Sequence, residues 1–334
     1  MLYVTTRSSR DAFTASRTLH ESQAPDGGGY LPLRLEPLDP AAVEGLMERG
    51  FSHCVAEVLN LFFGSKLSSW DVDFCIGKSV SKLRLLNHRM VAAELWHNEQ
   101  WEFAWILRRL SARLKESDYG SEVPAKWTRV AVRTAVLFGI FSELRRGGEL
   151  EKGQKLDIAL TAGDFTGICA AWQARDMGLD VGTIVCACTD VSTPWDLMNY
   201  GQMRTEGAPP ELERLISMTL GCEEASRFSR IRENDRSYTI NPAQTEHLRR
   251  GIFTAVVGNA RADSIIPNVY RTSRYLLDPD TACAFGGVQD YRAKTGEVRP
   301  TLLIMEKSPG RSADRISRSM GMTVDQLLDQ FSIG

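Results

Sequence analysis

The sequence predicts an α/β fold: an open, mostly parallel sheet covered by helices on both faces, three layers in all. Three observations predict it. The first is local. Residues 156–160 form an apolar run suited to a buried strand, and residues 161–167 a small glycine-containing turn. Residues 168–177 then carry apolar side chains at helical spacing up to Gly178, and 181–188 read as the next strand. Strand, tight turn, helix and strand make one βαβ unit. The second is that apolar runs near 91–95 and 301–305, set apart by helical patterns, supply further strands. The third is size: 334 residues, 43% hydrophobic and 25% charged, can bury a full core in one large or two moderate domains.

Composition excludes several functions. A net charge of −2 gives no reason to expect a nucleic-acid partner. Seven cysteines, an odd number without metal-type pairing, argue against a disulfide framework and a metal site. Cys186 and Cys188 alternate on the predicted strand, so both face one side of the sheet as core thiols. No apolar run reaches membrane-spanning length, and the chain opens on a polar segment rather than a signal peptide. A reduced, cytoplasmic, soluble protein is expected.

In chain order, residues 2–7 read as an opening strand and 11–19 as a short helix with Phe13 and Leu19 inward. The stretch Pro25-Asp26-Gly27-Gly28-Gly29-Tyr30-Leu31-Pro32 is a turn whose glycines permit positive φ. Helices follow at 39–49 and 51–63, and the helical pattern continues over 67–85. After the strand near 91–95, residues 106–115 form an amphipathic helix, 118–121 a polar link, and 126–144 a further helix. Beyond the central unit, helices are expected at 194–200, from 209, over 246–259 and over 267–276. Residues 223–237 form a charged, solvated surface, and Asp278 caps the helix that follows it.

These stretches resemble the threonine synthase family. Asp26-Gly27-Gly28 is similar to the family's N-terminal Pro-Asp-Gly-Gly-Leu-Tyr-Val-Pro. Thr161-Ala162-Gly163-Asp164-Phe165-Thr166-Gly167 resembles its Pro-Ser-Gly-Asn-Phe-Gly-Asp, and Leu277-Asp278-Pro279-Asp280-Thr281-Ala282 its Leu-Asp-Pro-His-Thr-Ala. The resemblance implies the tryptophan-synthase-β-like fold type II of pyridoxal phosphate (PLP) enzymes, in truncated form. It divides the chain into an N-terminal region, 1–95, and a reduced core, 96–334, with the family's small domain excised near 117–125. In the family the loop matching Gly163, Asp164, Phe165, Thr166 and Gly167 holds the phosphate of PLP. By residue type alone the same turn is either a plain strand-to-helix connection or an anion cradle, since backbone N–H groups at a helix start attract anions. Asp164 stands for the family's Asn and places a carboxylate beside that phosphate.

The resemblance also places the catalytic positions. Glu94-Leu95-Trp96-His97 and Phe103-Ala104 align with the family's Glu-Leu-Phe-His and Phe-Lys, so Ala104 falls on the lysine that forms the imine with PLP. Glu306-Lys307-Ser308-Pro309 aligns with Thr-Ala-His-Pro, whose Thr bonds the pyridine nitrogen. Three expectations follow. A chain without the imine lysine is a threonine synthase-like protein lacking the family's activity: a pseudoenzyme, or a binder of a protein partner or of a small anionic or amino-acid ligand. No covalent cofactor is expected, non-covalent PLP is left open, and a homodimer is a further expectation. The alternative is a divergent lyase or β/γ-replacement enzyme with a rebuilt pocket, in which His97, Glu306 and Lys307 are the candidate catalytic groups. Trp96, Trp101, Trp105 and Trp127 either re-cover the excised face or dock a partner.

Overall fold

The structure, a computed structural model, describes residues 1–76, 82–87, 89–97, 102–117, 123–163, 165–189, 193–234 and 236–331. Its centre is a six-stranded sheet built from β1 (Lys82–Asn87), β2 (Met90–Glu94), β3 (Leu156–Thr161), β4 (Val181–Cys188), β5 (Ile252–Val256) and β6 (Thr301–Met305). The strand order is β5-β4-β3-β6-β2-β1. All neighbours run parallel except the edge pair of β1 and β2.

Side chains alternate across each strand, and so two cores form, one on each face. Val91, Ile158, Ile184 and Leu302 enter the core shared with α1 (Phe103–Leu114), α2 (Lys126–Arg146), α3 (Thr166–Asp176) and the helix Phe51–Phe63. Ala92, Ala159, Val185 and Leu303 enter the other, shared with α4 (Pro279–Thr295) and the helix Asn259–Ser273. Helix α2 is the central support of the first layer, with most of its 21 residues buried. It approaches the helix Phe51–Phe63 at Gly139, where a Cβ would lie 2.7 Å from the Phe51 ring. Trp127, in its first turn, is fully buried edge-on to Tyr3 at 5.6 Å and to Phe62 at 5.4 Å. It therefore packs the core rather than a partner. Trp96 and Trp105 are half-buried, and Trp101 lies outside the described residues.

Two strands replace expected helix. The 67–85 helix stops at Ile76, and β1 begins at Lys82 as an edge strand with Lys82 and Arg84 exposed. Charged side chains suit such an edge, and they hid its alternation. The expected helix over 246–259 ends at Arg249 instead. Gly251, at φ +72°, turns the chain into β5, whose Ile-Phe-Thr-Ala-Val composition is that of a strand. Near the N-terminus, Phe13–Thr14 is a short strand and the helix starts only at Ala15. Leu2–Thr5 pairs with that short strand on one side and with Tyr30–Pro32 on the other, in a small antiparallel sheet. The charged 223–237 stretch includes a helix, Cys222–Arg232, and Pro267 lies inside the helix Asn259–Ser273. All seven cysteines are free and six are buried, Cys186 and Cys188 among them.

Candidate functional site

The order of the strands reverses at β3: β4 and β5 extend to one side, β6, β2 and β1 to the other. A crevice at the carboxyl ends of such strands is where open α/β sheets bind ligands. A cavity of about 330 Å³ lies there, between the ends of β3 and β6, the turn into α3, the start of α4 and the cationic face of α2.

The turn is held by Phe165. This residue is buried and left-handed, at φ +69°, an uncommon conformation for a side chain of its size. Its N–H donates to Ala162 O at 2.8 Å, and its carbonyl accepts from Cys169 N–H at 3.0 Å. Helix α3 then opens at Thr166, and Phe165 at its N-cap supplies no side-chain hydrogen bond. Gly163, at φ +39°, has open space where a Cβ would stand. Of the five turn residues expected to form an anion cradle, Gly163, Phe165 and Gly167 line the cavity, Thr166 is buried, and Asp164 lies outside the described residues.

Opposite the turn, two ion pairs cross the cavity wall. Glu306 accepts from Arg133 in a two-pronged pair, Nε to Oε1 and Nη2 to Oε2, both 2.8 Å. Such a fork fixes both side chains. The Arg133 guanidinium also lies over the Phe103 ring, 4.9 Å from its centroid, while Phe103 N–H donates to Glu306 O at 3.2 Å. Behind this pair a small void of about 20 Å³ remains between Phe103, Val136, Leu160 and Ile304. The second pair joins Lys307 Nζ to Asp280 Oδ2 at 2.8 Å, and that hydrogen bond raises the lysine above its ordinary range. Asp278 caps α4 by accepting from Asp280 and Thr281 N–H. Burial pushes its carboxyl up to about 6, against the pull of the Thr281 hydroxyl and the cap N–H groups.

The remaining candidates sit elsewhere. His97 is not among the residues lining this cavity; its Nε2 lies 3.3 Å from Ile76 O, beside a separate small void under Phe103 and Ile106. The structure thus does not bring His97 to Glu306. Ala104 is exposed in the first turn of α1 and lines no part of the cavity. Sequence reasoning missed Arg129, Arg133 and Asp280. The available signal was the spacing of Lys126, Arg129 and Arg133 (i, i+3, i+7), one cationic stripe on an otherwise apolar helix.

Residues 2–80 match the family described as threonine synthase N terminus. Threonine synthase-like 1 of Homo sapiens is 23% identical over 175 residues, 47% of this chain and 23% of that protein. Threonine synthase of Corynebacterium glutamicum is 23% identical over 232 residues, 62% of this chain and 46% of that protein. The whole fold is similar to PLP-bound threonine synthase from Brucella melitensis, with a TM-score of 0.79 at 16% identity, over 96% of this chain and 92% of that one. Threonine synthase from yeast gives a TM-score of 0.75 at 15% identity, over 96% and 90%. Residues 2–80 carry the threonine synthase N-terminal domain, and the chain as a whole has the fold of these threonine synthases. The match spans 23% of the length of the first curated relatives, and the likeness to the solved structures shows the fold. The mostly parallel α/β sheet is the one that the family's motifs imply.

Proposed function

We propose that this threonine synthase-like protein has left the family's imine chemistry and uses the cavity at the carboxyl ends of β3 and β6 to hold a small anionic or amino-acid ligand. One observation carries the reading. Among the described residues lining the cavity, the only primary amine is Lys307, and Asp280 holds it as a charged ion pair. An imine forms from the neutral amine, and a raised pKa depletes that form. Ala104, in the family's lysine position, has no amine at all. Glu306, in place of the residue that meets the ring nitrogen, is already clamped by Arg133. The residues present do not fit an imine-linked PLP. The start of α3, with Gly163 and Gly167 lining the cavity, supports an anion bound without a covalent link.

The proposal carries with it a reduced core, 96–334, that lacks the family's small domain near 117–125, where residues 118–122 lie outside the described ones. A cytoplasmic location, a homodimer and a protein partner belong to the same proposal; no helix among the described residues is long and apolar enough to cross a membrane. One observation favours a second reading, a divergent lyase with a rebuilt pocket. Asp278, lining the cavity with a carboxyl near 6, titrates where a general acid or base works.

The test adds PLP to the purified chain, records the visible spectrum, reduces with borohydride and maps adducts by mass spectrometry. No aldimine band and no reduced adduct are expected. An adduct on Lys307 would overturn the proposal in favour of the rebuilt enzyme.

A further inference from the structure

We propose a second ligand site, for a small organic molecule with a dianionic head (a phosphate monoester or a dicarboxylate), in the cleft between the N-terminal glycine turn and the helices Leu212–Leu220 and Cys222–Arg232. The cleft encloses about 400 Å³, within the range of small-molecule pockets, and shares no lining residue with the cavity described above. Its walls carry four cations, Arg7, Lys126, Arg214 and Arg232, and three carboxylates, Glu211, Glu213 and Glu233.

Most of these charges are matched among themselves. Arg7 donates to Glu213 through Nε at 2.9 Å and Nη2 at 3.1 Å, and Thr6 Oγ1 donates to the same carboxylate at 2.6 Å. Arg214, 2% exposed, donates to Glu211 and to Tyr30 O. The glycine turn is shaped to these guanidiniums: a Cβ on Gly27 would lie 3.0 Å from Arg7 Nη1, and one on Gly29 2.7 Å from Arg214 Nη2. These two pairs form a fixed wall.

Lys126, Arg232 and Glu233 remain. Among the described residues Lys126 makes no ion pair or side-chain hydrogen bond, and Arg232 makes a single long one, to Ala208 O at 3.5 Å. Glu233 is 64% exposed, 3.7 Å from Arg7, where water screens it. Set against Glu233, the two cations leave one net positive charge in a concave, polar cleft, which favours an anionic head. The same stripe on α2 therefore serves both cavities, with Lys126 facing this cleft and Arg129 and Arg133 the other.

Calorimetric titration of the full chain with inorganic phosphate and, separately, with succinate tests the site. A saturable site is expected for at least one ion, weakened tenfold or more in Lys126→Met and in Arg232→Met and retained in Lys126→Arg; a separate isotherm removed by Lys307→Met belongs to the first cavity. Phosphate alone would assign a phosphate ester, succinate alone a dicarboxylate. Circular dichroism checks that each variant folds, and the retention in Lys126→Arg separates lost charge from lost structure. Equal binding by wild type and Lys126→Met overturns the site, as does the lack of any saturable binding. Loss confined to Lys307→Met would place the anion in the first cavity, leaving the earlier proposal intact and removing this one.

Discussion

Replacing Glu306 by Thr, the residue that the resemblance places there, tests whether its carboxylate weakens anion binding in the first cavity. In the wild type that carboxylate takes both prongs of Arg133 at 2.8 Å, with side-chain exposures of 13% for Arg133 and 31% for Glu306. The substitution removes a negative charge from the wall and releases the Arg133 Nε and Nη2 donors that the carboxylate held. A unit charge roughly 6 Å from a bound anion, at an effective dielectric of about 40 for a wet cleft, is worth about 1.4 kcal/mol, so affinity should rise about tenfold. Stability should fall by about 1–2 kcal/mol, the loss of charged hydrogen bonds in a pair that water partly screens. Glu306→Gln, which keeps size and removes only charge, should show most of the affinity gain. Phosphate calorimetry in low salt reads the first effect and urea unfolding the second. The gain should shrink as salt is added. If Glu306→Gln binds phosphate no more tightly than wild type while the urea midpoint still falls, the Arg133 pair is purely structural and the cavity is not an anion site.

Three further outcomes are expected. Ala104→Lys alone will not form threonine from O-phosphohomoserine, because position 104 lies outside the cavity lining and positioning alone supplies several kcal/mol of barrier lowering; a measurable rate would refute this. Asp278 has a folded pKa of about 6, above its unfolded value, so the native state binds more protons between roughly pH 4 and 6. Its contribution is full below pH 4 and is lost as pH rises through 6, about 3 kcal/mol in all; Asp278→Asn, which keeps a capping oxygen, should flatten that slope in urea titrations across pH 4–7. Gly139→Ala forces a methyl to within 2.7 Å of the Phe51 ring and should lower unfolding stability by about 1–3 kcal/mol, whereas an unchanged urea midpoint would mean the two helices separate freely.

The parts of the fold legible in the sequence are those whose cause is local. Strands β3, β4, β2 and β6 are buried on both faces and read as continuous apolar runs, and the turn between β3 and α3 announces itself by Gly163 and Gly167. Strand β1 was hidden because an edge strand exposes Lys82, Arg84 and Leu85 and so shows neither helix nor strand periodicity cleanly. Strand β5 is hidden because a helix runs almost up to it, and only Arg250 and Gly251 separate the two. At the site, the cap at Asp278 was legible from its spacing to Pro279 and Thr281. The clamp of Arg133 on Glu306 was not, since those residues lie on elements distant in sequence and nothing near either one specifies the other. The glycines at 27–29 could be read as a turn, while their service to Arg7 and Arg214 depends on a helix that begins at Leu212.

The clamp also bears on what kind of ligand the first cavity suits. An apolar pocket shaped for an aromatic ring and left empty would cost about 24 cal/mol for each Å³ of void. The apolar void behind Arg133 and Glu306 is only about 20 Å³, so its cost is near 0.5 kcal/mol, and the Phe103 and Arg133 side chains occupy the surrounding space. What stays open in front, about 330 Å³, is walled by Arg129, Arg133, Asp280, Glu306 and Lys307 and the start of α3, groups that water satisfies at little expense. A ring would have to displace the clamp to reach its apolar floor. A compact, hydrated ion needs only to replace water at the α3 start and the cationic stripe, and it leaves both ion pairs standing. A small apolar remnant beside a larger polar chamber is the division that the small charged ligand proposed above would use.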